Sequence, residues 1–287
     1  MRNKENEKMR NDSFYVFFNY CHFVCLIHKF LIFSFFYFLI FSYLCIMLTK
    51  TQAIVLRTIK YGENKLIVDF LTEVEGRVSC VVGIPKTQRG KLKKQFFQPL
   101  SILEVELDIR PRQQLHHIRD AHIGVPYASI PFEPSKLSIS LFLAEFIYYG
   151  TRDEQLNPAL YQFVVNSLQW LDGCEGQFAN FHLVFMMRLS RFIGFFPNVE
   201  DYQEGDFFDL RAATFTSQEP LHTDFLSAPD AVRINTLLRM KYASMHLFRM
   251  THEDRNRIVD VIIQYYRLHV PSFPELRSLE VMKELWK

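Results

Sequence analysis

The chain has 287 residues, of which 49% are hydrophobic and 22% are charged, and its formal net charge is +2. This length and composition allow one or two domains with a real apolar core and exclude a disordered chain. Five cysteines without paired spacing give little support to a disulfide framework or a Cys-x-x-Cys metal site, so a reducing cytoplasm is the expected compartment.

Residues 14–46 form an apolar stretch that is long enough to cross a bilayer, and taken literally residues 1–46 are a membrane anchor. A signal peptide is not expected, because no small-residue cleavage site follows. Residues 1–46 contain no Ala, Gly or Pro but ten of the 29 Phe, a bias typical of an AT-rich upstream region translated from too early a start. On that interpretation they are a non-native extension and Met47 is the first residue. The intact mass of the native protein distinguishes the two interpretations.

Residues 47–124 contain short apolar runs separated by turn residues, at the spacing of a small all-β barrel or sandwich. Five strands are predicted, at 51–59, 65–73, 77–84, 101–109 and 114–120. The fourth is the clearest, because four apolar residues alternate with three acids: Leu103, Val105, Leu107 and Ile109 with Glu104, Glu106 and Asp108. We therefore expect one buried face and one acidic, hydrated face on this strand, and a phosphate-binding groove on another side of the module.

Residues 85–99, which we call the basic loop, contain no acidic residue and carry five cations, Lys86, Arg89, Lys91, Lys93 and Lys94. Residues 47–124 hold 13 Lys and Arg against 8 Asp and Glu, a net charge of +5, whereas residues 125–287 hold 15 against 20, a net charge of −5. A local excess of this kind attracts phosphates, because each contact releases condensed counterions. A solvated surface loop without a partner is the alternative.

Three aromatic residues of this module, Tyr61, Phe96 and Phe97, are candidates for stacking on the bases of a single strand. Core packing is the favoured role for Phe96 and Phe97. Tyr61 lies beside Gly62 in a turn and is the more exposed candidate.

Residues 125–134 contain three prolines and are predicted to be a linker. Beyond them, six helices are predicted, at 136–149, 158–172, 177–193, 229–248, 252–268 and 275–286. Asn157 before Pro158 is typical of an N-cap, and Thr251 followed by Asp254 is typical of a capping arrangement. Residues 135–287 are therefore predicted to form a helical domain.

Residues 196–227 interrupt the helical pattern and are predicted to be an inserted loop or hairpin. The segment has no cysteine, and His222 alone cannot make a zinc site. Its acidic group could bind a divalent ion, but a solvated surface is the favoured interpretation. That group is Glu200, Asp201, Glu204, Asp206 and Asp209.

The chain contains no P-loop, GxSxG elbow, HExxH helix, Gly-rich dinucleotide turn or paired metal-binding carboxylates. The adjacent His116 and His117 lie in a predicted strand, where their side chains point to opposite faces and cannot share a ligand. No enzymatic activity and no cofactor or metal is expected.

The segment QAIVLRTIKYGENKLIVDFLTEVEGRVSCVVGIPK (52–86) resembles the start of the DNA repair protein RecO family, with AIVL, YGE, LTE and GRVS followed by a basic loop. LRMKYASMHLF (238–248) and YYRLHVPSFPELRSLEVMKEL (265–285) resemble the helical end of the same family, so the resemblance covers 47–287. It implies an α+β multidomain fold, with an N-terminal OB-fold β-barrel (47–124) followed by an all-α helical domain. Many members carry a four-cysteine zinc module about where 196–227 lies, and the missing cysteines imply that zinc is absent here.

The resemblance also implies a cytoplasmic, nucleoid-associated recombination mediator in DNA repair. Such a protein binds single- and double-stranded DNA, anneals complementary strands, contacts the single-strand-binding protein and, with RecR, helps to load RecA. The predicted DNA-binding residues are Arg57, Lys60, Tyr61, Lys65, Arg77, Lys86, Arg89, Lys91, Lys93, Lys94, Arg110 and Arg112. The main alternative is a membrane-tethered interaction protein that keeps 1–46 and binds anionic lipid headgroups. A metal-dependent nuclease that uses the acidic loop is a further alternative.

Overall fold

The computed structural model describes residues 33–34, 47–84, 92–110, 113–152, 154–200 and 202–284. The two interpretations of residues 1–46 therefore concern residues that, apart from 33–34, lie outside the described part. Among the described residues, no helix has the length and apolarity needed to span a membrane. The chain divides into two compact units, Met1–Met47 with Ile109–Gln113 and Leu48–Asp108 with Gln114–Lys287. The barrel and the helices lie in the second unit, apart from Met47 and Ile109 at the ends of two strands.

Five strands close into a barrel in the order β1-β2-β3-β5-β4. They are β1 (Met47–Tyr61), β2 (Lys65–Thr72), β3 (Gly76–Gly83), β4 (Ile102–Ile109) and β5 (Leu115–Val125). The pairs β1–β2, β2–β3 and β4–β5 are antiparallel and β3–β5 is parallel, as in the five-stranded Greek-key barrel of an OB fold. The five predicted strands are confirmed. Strand β5 ends later than predicted because two bulges in its pairing with β4 obscure the alternation.

The predicted alternation on β4 is confirmed for Leu103, Val105 and Leu107, which are buried, and for Glu104, which is exposed. It is wrong for Asp108, which is only 7% exposed. The bulge between Glu106 and Leu107 lies in β5, where Arg119 is the extra residue, and Asp108 is buried beside it. The Asp108 carboxylate accepts a hydrogen bond from Arg119 of β5 at 3.5 Å, which compensates part of the cost of burying the charge.

Six helices follow the barrel: α1 (Pro134–Gly150), α2 (Pro158–Gly173), α3 (Phe181–Phe192), α4 (Ala228–Arg239), α5 (His252–His269) and α6 (Leu279–Glu284). The predicted helix at 229–248 is wrong in its second half, because Met240 has an extended backbone (ψ 139°) and ends α4. Arg188 of α3 donates to the Met240 carbonyl at 3.2 Å and holds the chain in this turn.

Both predicted helix caps are confirmed. The Asn157 side chain accepts a hydrogen bond from the Leu160 amide at 2.9 Å at the start of α2. Thr251 and Asp254 form a reciprocal capping box at the start of α5. Each cap satisfies amides of the first helical turn that have no partner within the helix.

The apolar core runs from one side of the barrel into the helices, since Ile54, Leu56 and Leu71 belong to the same buried cluster as α1 to α5. Aromatic rings fill its centre: the Phe146 ring lies 4.5 Å from that of Tyr266 and 5.7 Å from that of Phe273, centroid to centroid. Burial of each such side chain stabilises the fold by roughly 1.5 to 3 kcal/mol.

The residues between β5 and α1 have no regular element, and hydrogen bonds to the end of α2 hold them in place. The Asp172 carboxylate accepts from the backbone amides of Ala128, Ser129 and Ile130 at 2.7, 2.8 and 2.9 Å. Lys136 is buried and donates to the Ser129 hydroxyl at 2.7 Å and to the Cys174 carbonyl at 2.5 Å. The connection is therefore tightly anchored.

A small sheet in the order β7-β6-β8 lies between α3 and α4, where a loop or hairpin was predicted. Its strands are β6 (Phe207–Asp209), β7 (Thr214–Thr216) and β8 (Phe225–Leu226). The Asp209 carboxylate accepts from the amides of Arg211 and Ala212 at 2.8 and 3.0 Å and lies 3.2 Å from His222 Nε2. Among the described residues, which omit Asp201, no group of three His, Cys, Asp or Glu side chains could hold a metal.

Candidate nucleic-acid interface

Eight of the twelve predicted DNA-binding residues lie in the described part of the chain, and the other four, Lys86, Arg89, Lys91 and Arg112, lie outside it. Within the basic loop, Lys93 and Lys94 are exposed, and a short 3-10 helix follows at Lys94–Phe97. Phe97 is buried and meets the Phe70 ring edge-to-face, with centroids 6.5 Å apart. The predicted core role of Phe97 is thus confirmed, and this contact ties the end of the basic loop to the barrel.

The end of the β1–β2 hairpin projects into solvent, since every residue from 59 to 65 is exposed. Gly62 has φ +70°, a left-handed conformation that glycine adopts without strain. Tyr61 pairs with Lys65 across the hairpin, and 54% of Tyr61 is accessible to solvent. Lys60 precedes Tyr61 and points to the opposite side of the strand. The turn thus places one accessible aromatic ring and Lys65 on one side of the hairpin and Lys60 on the other.

The outward residues of β1, β2 and β3 form one surface, which we call the β1–β3 face. One row across the strands is apolar, because Ile59 pairs with Ile67 and Ile67 pairs with Val81. The next row is polar, because Arg57 pairs with Asp69 and Asp69 pairs with Ser79. In OB folds, the corresponding strands and the loops L12 and L45 bind oligonucleotides. The hairpin end is loop L12, and Arg110 and Arg112 belong to the β4–β5 connection, L45.

Arg57 is the cation of the polar row of this face. Its Nη1 donates to the Tyr148 hydroxyl at 3.1 Å, and its guanidinium carbon lies 5.0 Å from the Tyr148 ring centroid. Partial burial works to lower the pKa of Arg57, but the hydrogen bond to Tyr148 and the nearby Asp69 charge raise that pKa overall. Asp69 is only 8% exposed and accepts a hydrogen bond from the Ser79 hydroxyl. The polar row therefore presents a fixed, charged guanidinium.

Arg77 lies on β3 but contacts the helices. Its Nη1 donates to the Tyr148 carbonyl at 2.9 Å and to the Thr151 hydroxyl at 3.1 Å. The side chain is half-buried, and its guanidinium carbon lies 4.9 Å from the Tyr148 ring centroid. Strand alternation could not show that a helix packs beside Arg77, and the DNA-binding role of this residue stays a prediction. Arg110, the remaining described cation of the set, follows β4 and is half-buried.

A cleft of about 510 Å³ on the barrel is lined by four of the eight acidic residues of the module, Glu73, Glu104, Glu106 and Asp120. Lys50 lies 2.6 Å from Glu106, and this hydrogen bond raises the pKa of Lys50. Carboxylates at this density repel phosphates, so this cleft is a poor phosphate-binding surface. The sequence indicated Glu104 and Glu106 through alternation, but it did not indicate that Glu73 and Asp120 join them.

Two family profiles together match most of the chain. The one described as Recombination protein O N terminal matches residues 47–127, and the one described as Recombination protein O C terminal matches residues 131–280. The chain belongs to the recombination protein O family. The resemblance to RecO that residues 52–86, 238–248 and 265–285 indicated is thus confirmed, and this membership assigns the chain to DNA repair and recombination.

Relatives named DNA repair protein RecO match across all or nearly all of their length. The RecO protein of Phocaeicola vulgatus is 48% identical over 240 residues, which cover 84% of this chain and 100% of that protein. That of Bacteroides fragilis (strain ATCC 25285) is 47% identical over 241 residues, with the same coverage. That of Flavobacterium psychrophilum is 30% identical over 239 residues, 83% of this chain and 98% of that protein. The predicted OB-fold barrel and the helical region match the layout of the two RecO profiles.

Proposed function

We propose that this RecO family chain is a DNA-binding recombination mediator that binds single- and double-stranded DNA and anneals complementary strands. The observation that carries the proposal is the exposed hairpin end, where Tyr61 pairs with Lys65 beside the β1–β3 face. A ring with an accessible face stacks on bases of any sequence, and adjacent cations bind phosphates.

The proposed DNA path follows the β1–β3 face and the basic loop and avoids the acidic cleft. Its proposed phosphate contacts are cations of the hairpin, face and loops, and Arg77 braces this face against α1 through its contacts with Tyr148 and Thr151. They are Arg57, Lys60, Lys65, Lys86, Arg89, Lys91, Lys93, Lys94, Arg110 and Arg112. Cations along the path lower the repulsion between two phosphate backbones, which is the physical requirement for annealing.

The proposed partners are a RecR-like protein, the single-strand-binding protein and, indirectly, a RecA-like recombinase. The proposed location is the cytoplasm, in association with the nucleoid. Family membership supports these partners, and no residue on the described surface identifies them. Because the protein is proposed to bind and align DNA strands without breaking a covalent bond, it should need neither nucleotide nor metal.

The test is annealing of two complementary, fluorescently labelled oligonucleotides, with and without bound single-strand-binding protein and in the absence of nucleotide and Mg²⁺. The protein should accelerate annealing, and the acceleration should weaken steeply as salt rises. An annealing rate equal to that of the free strands would contradict the proposal. Strand cleavage on addition of Mg²⁺ would favour the nuclease alternative instead.

A further inference from the structure

The last residue of α4, Arg239, and the connection that follows it carry exposed cations in an otherwise acidic part of the chain; we call residues 239–249 the α4–α5 loop. Between Asp230 and Glu253 the sequence contains no acidic residue. Arg239, Lys241 and Arg249 are exposed. Leu247, at 70% exposure, shows that the middle of the loop also projects into solvent.

The cations of this loop differ in their partners from the ion-paired cations of the helical region. Several of those others lie within 2.8 Å of a carboxylate: Arg211 of Asp224, Arg233 of Asp254, Arg257 of Asp230 and Lys283 of Asp260. No carboxylate in the part of the chain that the structure describes is within salt-bridge distance of Arg239, Lys241 or Arg249. Their charges are therefore available to an external anion.

The backbone of the loop is held rigidly from below. The Tyr242 ring stacks on Trp170 and Phe181, with centroids 5.2 and 4.9 Å away, and its hydroxyl donates to the Ser167 hydroxyl at 2.9 Å. The Asn180 side chain donates to the Met245 carbonyl at 3.1 Å and to the Phe248 carbonyl at 2.9 Å. A surface that is ordered beforehand loses less conformational entropy on binding.

Helix stability explains only part of this arrangement. Arg239 and Lys241 lie at the C-terminus of α4, where the helix dipole favours positive charge. Arg249 lies two residues before Thr251, the N-cap of α5, where the dipole disfavours positive charge. A binding role accounts for all three positions.

We propose that the α4–α5 loop binds the phosphate backbone of a second DNA strand while the barrel holds the first. Three exposed cations without an intervening acid are complementary to a polyanion, and DNA is the polyanion that the RecO family's role supplies. Two separate cationic surfaces let one molecule hold both reactants of annealing. This inference rests on the proposed function.

The test compares two triple variants of the full chain that lose the same charge. The loop variant is Arg239→Gln, Lys241→Gln and Arg249→Gln; the control is Arg191→Gln, Arg267→Gln and Arg277→Gln, exposed cations elsewhere in the helical region. The loop variant should anneal labelled complementary strands about tenfold more slowly than the control, because each lost phosphate contact reduces affinity. Its affinity for a single labelled strand should stay within about threefold of the control, since the barrel is intact.

Equal annealing rates of the two triple variants would overturn the inference and leave the proposed function standing, whereas a wild-type protein that does not anneal would overturn both. The charge-retaining variant Arg239→Lys with Arg249→Lys should anneal like the wild type, and a slow rate there would overturn the inference. If the loop variant anneals strands normally but no longer binds a labelled poly-glutamate peptide, the loop binds an acidic protein. That result would also overturn the inference. If the triple loop variant does not fold, the single variants Lys241→Gln and Arg277→Gln are compared instead. The inference requires that Lys241→Gln anneals strands more slowly than Arg277→Gln.

Discussion

Arg77 of β3 and Tyr148 of α1 join the barrel to the helices, with Arg77 Nη1 donating to the Tyr148 carbonyl at 2.9 Å and its guanidinium carbon 4.9 Å from the ring centroid. Arg57 lies over the same ring at 5.0 Å. A single tyrosine therefore contacts one cation that connects the two parts of the fold and one cation of the β1–β3 face.

Replacing Arg77 should reduce stability more than DNA binding. Arg77→Ala removes charged hydrogen bonds to Tyr148 and Thr151, so the free energy of unfolding should fall by about 2 to 3 kcal/mol. Lys65→Ala is the matched control: Lys65 is exposed, so its loss should change stability by less than about 0.5 kcal/mol and weaken DNA binding instead. Urea denaturation and oligonucleotide titration measure the two effects. An Arg77→Ala protein that is as stable as the wild type but binds DNA weakly would show that Arg77 contacts DNA directly.

Removal of the Tyr61 ring should weaken single-strand binding. Base stacking on an aromatic side chain contributes about 1 to 3 kcal/mol per base, so Tyr61→Ala should raise the dissociation constant roughly 5- to 150-fold. Tyr61→Phe keeps the ring and should bind within about twofold of the wild type, because stacking does not need the hydroxyl. Fluorescence anisotropy with a labelled single strand distinguishes them. Equal affinities of the Ala and Phe variants would exclude stacking at this position.

The cations of the basic loop should control the salt dependence of binding. Replacing Arg89, Lys91, Lys93 and Lys94 with Ala should lower affinity and reduce the slope of log affinity against log salt by about 2.8, or about 0.7 per lost single-strand phosphate contact. Glu104→Gln, in the acidic cleft, should leave that slope unchanged. Superimposable isotherms of the wild type and the fourfold variant across a salt series would remove the basic loop from the site.

His182 of α3 should make the fold sensitive to mild acid. It is 1% exposed, and burial together with the charge of Arg255 lowers its pKa from 6.5 to about 3. Between pH 3 and pH 6.5, His182 binds a proton in the unfolded chain but not in the folded protein. The stabilisation is therefore complete above pH 6.5 and is lost as the pH falls, by about 1.4 kcal/mol per pH unit.

His182→Leu removes this titration and places an apolar side chain of similar size in the core. Its free energy of unfolding should therefore depend less on pH than that of the wild type between pH 4.5 and 7. Urea midpoints at several pH values measure the difference. Parallel pH profiles for the two proteins would show that His182 does not titrate differently on folding.

The strands and the helix caps could be predicted because the signals that specify them are local. Alternation on β4 and the Asn157 and Thr251 caps involve residues within a few positions of one another. The end of α4 could not be predicted, because Met240 is held by Arg188 and Tyr242 packs on Trp170, and both partners are distant in sequence. The burial of Asp108 likewise depends on a bulge in pairing that its neighbours do not reveal.

For the candidate site, the sequence alone determined the family, the order of barrel and helices, the separation of net charge and the exposed turn at Tyr61 and Gly62. These features depend on composition, periodicity and the residues of single turns, so they can be predicted from the sequence. Only the tertiary structure decided which cations remain at the surface. It directs Arg77 to Tyr148, leaves Lys60 and Lys65 exposed, and presents Lys241 without a carboxylate partner in the described residues. The partner of a long cationic side chain depends on what packs beside it in space, and strand alternation contains no information about that.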